Sequence, residues 1–251
     1  MKHCSFRFAL ILMLVGLLIS SLQALPQSSV PSPGVYSTGP ITDYAAAAPK
    51  SSDVLRFRRG ERYNSPNSPL PELGEESDAS LVVEDTGKYW RDPMPFSQSD
   101  AVVVGTIKDG QAYLSNDKRD IYSEFGTTIQ EVIKTPTAPY LRLDDTITIE
   151  RQGGTVRLPS GKVLIRAWKD NSMPLVGKRY LLFLRYSPST EDYRLLTGYQ
   201  LEHSVVYSLD DLEQKDRNRD TLVHVLRERG ENESQFLEQV RTSKPPVKGG
   251  N

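Results

Sequence analysis

Chemistry in this chain must be done with few of the usual reactive side chains, because its 251 residues include three histidines and a single cysteine. His3 and Cys4 stand at the very start, which leaves His203 and His224 for the rest. A serine hydrolase needs a general base beside its nucleophile, and a catalytic zinc needs three protein ligands around an open position. Neither H-E-x-x-H nor G-x-S-x-G occurs, and both remaining histidines read as surface or rim positions. Ser160-Gly161-Lys162 resembles the end of a phosphate loop, but Val156 stands where Gly is required and Val163 where Ser or Thr is required. Asp216, Asn218 and Asp220 open like a calcium loop, whose alternate side chains converge on one cation, yet Thr221 replaces the turn Gly and Arg227 the bidentate Glu.

Two constellations survive this sorting. Paired carboxylates hydrolyse glycosidic bonds without His or Cys, and Glu150 or Glu131 is the kind of acid such a site would use. Arg157, Arg166 and Trp168 form the other: with Val163, Ile165 and Ala167 turned inward, Leu164, Arg166 and Trp168 share the opposite face, joined by Arg157 across a hairpin. Arg beside Trp suits contact with a protein or a polysaccharide. The expectation is therefore a non-catalytic binding or accessory module with no cofactor and no metal, its contact residues Arg157, Arg166 and Trp168. A small carboxylate hydrolase is the rival.

Short strands must position these residues. Residues 101–107 form a β-branched run with Gly105 marking a bulge or bend. Between 121 and 134, Ile121, Ser123, Phe125, Thr127 and Ile129 alternate on one face until Glu131-Val132-Ile133 breaks the pattern, which predicts a bulge near Gln130. Residues 146–150 and 155–158 flank Gly153-Gly154, read as a two-residue hairpin turn. Runs at 162–168, 180–184, 193–197 and 203–207 follow. Seven or eight strands without long helices between them predict a mainly β, antiparallel barrel or sandwich. Leu222, Val223 and Leu226 before Gly230, and Phe236, Leu237 and Val240 after a cap formed by Asn232 with Gln235, predict two short C-terminal helices packed on it.

The segments 99–107, 131–134, 144–149 and 176–184, in that order, resemble the layout of secreted bacterial OB-fold proteins, themselves similar to netrin-module and tissue-inhibitor-of-metalloproteinases domains. The resemblance covers about residues 100–207 and implies an OB-like Greek-key barrel with extra strands. Inhibitors of that type chelate the protease zinc through an N-terminal cysteine, and this chain, once its leader is removed, has no cysteine, so inhibition by that route is excluded.

Compartment and boundaries complete the expectation. Lys2, His3 and Arg7 precede an apolar run of about a dozen residues from Phe8 to Ile19, too short for a ~30 Å hydrocarbon core and suited to a secretory signal cleaved after Ala24. The protein is expected to be secreted or periplasmic, meeting a membrane only if that signal is retained. Of its 17 prolines, ten precede Ser99, so residues 25–50 read as a flexible tether and 51–99 as an irregular arm, in which Leu55, Phe57 and Leu81-Val82-Val83 are candidates for edge strands. The barrel spans 100–207, the helices 208–242 and a disordered tail 243–251. Between 100 and 207, 14 Lys and Arg face 13 Asp and Glu, which argues against nucleic acid as a partner.

Overall fold

A computed structural model of the chain describes residues 39–66, 72–74, 81–84, 92–168, 171–210 and 231–243. The expected signal sequence, most of the tether, the first C-terminal helix, the calcium-like loop and the tail lie outside the described residues. Among those described, no helix is long and apolar enough to cross a membrane.

The chain is mainly β. Six strands form one largely antiparallel sheet: β3 (Ala101–Leu114), β4 (Ile121–Lys134), β5 (Thr146–Gln152), β8 (Arg179–Ser187), β9 (Asp192–Glu202) and β10 (Val205–Ser208). β3 pairs with both β4 and β8, β4 also with β5, and β8 with β9. The circuit is completed by only two parallel residue pairs between β5 and β9, so the ring of hydrogen bonds is partial. A two-residue strand, β11 (Glu231–Asn232), borders β10. His203 and Ser204, both at positive φ, make the tight turn from β9 into β10.

Bulges fall where the alternation breaks. Pairing passes from Val104 opposite Glu131 to Gly105 opposite Ile129, which leaves Gln130 as the extra residue. A Cβ at Gly105 would lie 2.8 Å from the Thr128 carbonyl oxygen, so the close approach of the two backbones there needs glycine. β3 runs seven residues beyond the expected 101–107, because a further register shift between Ile107 and Asp109 carries the polar Lys108-Asp109-Gly110 through the ladder.

A smaller sheet corrects the expected hairpin at Gly153-Gly154. These glycines, both at positive φ, do not fold 155–158 back on β5; they pass the chain into a second sheet, where β6 (Gly154–Arg157) pairs with β7 (Val163–Trp168). Its edges come from both preceding segments: β1 (Ile41–Asp43), within the expected flexible tether, lies parallel to β6, and β2 (Leu81–Glu84), in the arm, parallel to β7. The ordered unit thus begins well before Asp100. After β1, the short helix α1 (Tyr44–Ala47) buries Tyr44 and Ala47 among Ala112, Leu114, Ile121, Val156 and Leu164. Leu55 and Phe57, read as irregular arm or edge strand, belong instead to the helix α2 (Val54–Arg62), because Asp53 accepts the Arg56 N–H and caps it.

Apolar residues serve both faces of the main sheet. Ile107, Phe125, Ile129, Ile149, Tyr180, Leu182 and Leu184 pack inside the ring. Val102, Val104, Leu181, Phe183 and Tyr199 point outward and are covered by Phe236, Leu237 and Val240 of helix α3 (Glu233–Thr242), which Asn232 caps through the N–H groups of Ser234 and Gln235. Burial on two sides is why 101–104 and 180–184 are uninterrupted apolar runs.

Candidate functional site

Strand alternation puts a group of acids on the outer face of β4, β5 and β9. In β4, Ser123 and Phe125 face inward, so Glu124 faces outward; in β5, Glu150 stands between the inward Ile149 and Arg151. Register sets Glu124 directly opposite Glu150, and Glu150 opposite Arg194 of β9, with Asp192 two residues before Arg194. Like charges paired across strands repel, so this floor requires cations.

Helix α2 supplies them. Arg56, Arg59 and Arg62 recur every third residue and therefore line one side of the helix. Arg59 uses its whole guanidinium: Nε lies 2.7 Å from Asp192 Oδ2, Nη1 donates to Glu124 Oε2 at 3.0 Å, and Nη2 donates to the Thr190 carbonyl at 3.0 Å. Arg62 forms an ion pair with Glu150 through Nη1, while Nη2 donates to Ser187 Oγ at 2.7 Å and to Thr190 Oγ1. Thr190 Oγ1 in turn donates to Asp192 Oδ1 at 2.7 Å. Half-exposed Arg194 reaches Glu150 from the rim, its Nε 3.8 Å from Oε1. Three carboxylates thus share two inner guanidiniums, and Glu150 Oε2 and Glu124 Oε1 are buried without a hydrogen-bond partner. Burial raises the Glu124 carboxyl above its ordinary range, with Arg59 opposing the shift.

Contacts at the margins complete the seat. Tyr63, just past α2, stacks on Tyr122 at 4.7 Å between ring centroids, and Arg56 lies 4.0 Å over the Tyr113 ring. Burial pushes the Tyr63 and Tyr122 phenols far above their usual range, so both stay neutral. Asn116 Nδ2, in the β3–β4 loop, donates to the Phe57 carbonyl at 2.8 Å, and Arg58 donates to the Ser189 carbonyl in the β8–β9 loop. Helix α2 therefore rests on a charged floor between two loops, and its buried residues are Arg59 and Gly60.

The residues expected to bind are placed differently. Burial along β7 is the reverse of the expected alternation, with Leu164 and Arg166 buried. Arg166 Nε approaches Asp120 Oδ1 at 3.2 Å and Nη2 donates to the Arg119 carbonyl, while Gln152 donates to the other Asp120 oxygen; together they bind the small sheet to the start of β4. Arg157 is half exposed and reaches Asp43 at 3.3 Å. Since Arg157 pairs with Val163 and Arg166 with Gly154, the two arginines lie on opposite faces. Trp168 is the last residue of β7. Of the two candidate acids, Glu150 belongs to the charged floor, whereas Glu131 holds Arg241 of α3 in a two-pronged ion pair at 2.8 and 2.9 Å.

Arg59, Arg62, Glu124 and Asp192 escaped the sequence reading. The signal was present in Asp53 followed by arginines at 56, 59 and 62, a capped helix with a basic stripe. Among the described residues, no group of three His, Cys, Asp or Glu side chains is placed to hold a metal ion. Compared with known proteins, the chain matches no family profile and no curated protein.

Proposed function

We propose that this protein is a secreted or periplasmic binding module, built on an OB-like Greek-key barrel, and that its recognition surface is the acidic face of β4, β5 and β9. The neighbour order β3-β4-β5-β9-β8 and back to β3 supports the barrel reading. OB folds use the face of their second and third strands, with the two loops flanking it, to hold ligands. The counterparts here are β4, β5 and the loops at 115–120 and 188–191.

One observation carries the choice of binding over catalysis: every acid of this face is engaged by arginine. A carboxylate pair that hydrolyses a glycosidic bond must leave room for substrate between its members and give one acid a proton to donate. Glu150 is buried beneath Arg62, and Glu124 and Asp192 grip Arg59 from two sides. That arrangement recognises guanidinium groups.

The test joins fractionation to an activity assay on the full chain. The expected product lies outside the cytoplasm, has lost the first 24 residues by intact mass, and turns over none of a panel of chromogenic glycosides. Turnover abolished by Glu150→Gln would overturn the reading in favour of a carboxylate hydrolase.

A further inference from the structure

The way α2 is held sets it apart from helix α3 on the same sheet. Helix α3 buries Phe236, Leu237 and Val240, whereas α2 leaves Val54 exposed and Leu55 and Phe57 half-buried, and seats itself through arginines. A nine-residue helix does not persist alone in water, so its order depends on that seat. Once seated, these buried pairs are little screened, but salt stabilises the arginines and carboxylates when they are apart and so favours the open state, while the apolar core does not share that dependence. Helix α2 is thus the element poised to open locally while the sheet stays folded.

The floor it would uncover is built for one kind of ligand. Glu124, Glu150 and Asp192 sit on three neighbouring strands, and Ser187 Oγ, Thr190 Oγ1 and the Thr190 carbonyl add neutral acceptors from the β8–β9 loop. The Asp192 and Glu150 side chains have no solvent exposure while α2 is in place, and Glu150 Oε2 still lacks a donor. Without α2, Arg194 at the rim is the one arginine left, among the described residues, in an ion pair with any of these three carboxylates. The acceptors match two guanidiniums one helical turn apart, which is the spacing Arg59 and Arg62 provide.

We propose that this groove is a receptor for an arginine-bearing helix of a partner protein, and that α2 is its resident intramolecular occupant, displaced when the partner docks. The proposal rests on the binding-module reading and names its ligand class. Because the resident helix competes, trans binding is weakened in inverse proportion to the fraction of time the groove stands open.

A fluorescein-labelled synthetic peptide copying residues 50–66 is the probe, titrated onto the full chain and onto an Arg59→Ala/Arg62→Ala chain whose own helix has lost its grip. The peptide is expected to bind the variant at least about tenfold more tightly than the parent. Binding to the variant should vanish when the peptide residues corresponding to Arg59 and Arg62 are replaced by Ala, and weaken between about 50 and about 500 mM salt. Equal affinity for both chains, or indifference to the peptide arginines, would overturn the proposal. Should the variant fail to fold, hydrogen exchange on the parent decides: residues 54–62 exchanging faster at high salt while β4 and β5 do not is the expected result, and exchange of α2 only together with the sheet is the contradicting one. Failure of the peptide to bind leaves the module reading standing, whereas Glu150-dependent hydrolysis would remove that reading whatever the peptide does.

Discussion

Phe236→Ala measures how much of the fold depends on the cover over the outer sheet face. Phe236 is fully buried, its ring 4.9 Å from that of Tyr199 in an edge-to-face contact at 60°, within a cluster that includes Leu181, Phe183, Leu201 and Val206. Emptying a buried Phe site costs about 3–5 kcal/mol, part of which is the aromatic pair at about 0.5–1.5 kcal/mol. Helix α3 is anchored at both ends, by Arg179 on Glu233 and by Arg241 on Glu131, which limits how far it can settle into the void. Against this, Ala is the better helix former by about 0.5 kcal/mol. The net expectation is a loss of about 3 kcal/mol, read by urea unfolding as a lower midpoint with unchanged slope. A loss below about 1 kcal/mol at constant slope would refute the reasoning, because a side chain that cheap to remove is not holding the helix to the sheet.

Other expectations centre on α2. The Glu124 carboxyl is raised above the unfolded value by burial, so between those two values the folded state binds more protons and stability falls as pH rises. Glu124→Gln should therefore flatten the decline in unfolding free energy between about pH 4.5 and pH 7, relative to the parent, in urea titrations at each pH; a variant that loses more at pH 7 than at pH 4.5 would mean the charged pair with Arg59 is net stabilising. Gly60→Ala would place a Cβ 2.3 Å from Asn116 Oδ1 and push aside the amide that donates to Phe57, so hydrogen exchange across 54–62 should quicken even though Ala favours helix by about 1 kcal/mol. Slower exchange there would show that Asn116 moves freely.

What the sequence revealed depended on whether the signal was apolar. The run Tyr180–Leu184, the alternation from Ile121 to Ile129 and the bulge at Gln130 were legible because each side chain's face follows from its own strand. Gly153-Gly154 misled because two adjacent glycines mark a hairpin and a change of sheet equally well; the choice rested on β1, whose pairing with β6 spans more than a hundred residues. Helix α2 was hidden for a different reason. Its buried stripe is arginine, and a search for apolar periodicity passes over it, as it passes over Glu124, whose meaning depends on Glu150 opposite and Arg59 above. Arg166 was assigned outward by alternation from Val163, Ile165 and Ala167, yet Asp120 and the Arg119 carbonyl let it be buried.

The claim that ion pairs, not apolar packing, seat α2 is tested most directly by a double-mutant cycle on Arg59 and Asp192, whose contact is 2.7 Å. Removing Arg59 strands both Asp192 and Glu124, removing Asp192 leaves Arg59 to Glu124 and the Thr190 carbonyl, and removing both strands Glu124 alone, so Arg59→Ala and Asp192→Ala together should cost less than the two single losses added, with a coupling energy of about 2 kcal/mol or more in urea unfolding. Additivity within about 0.5 kcal/mol would contradict the account.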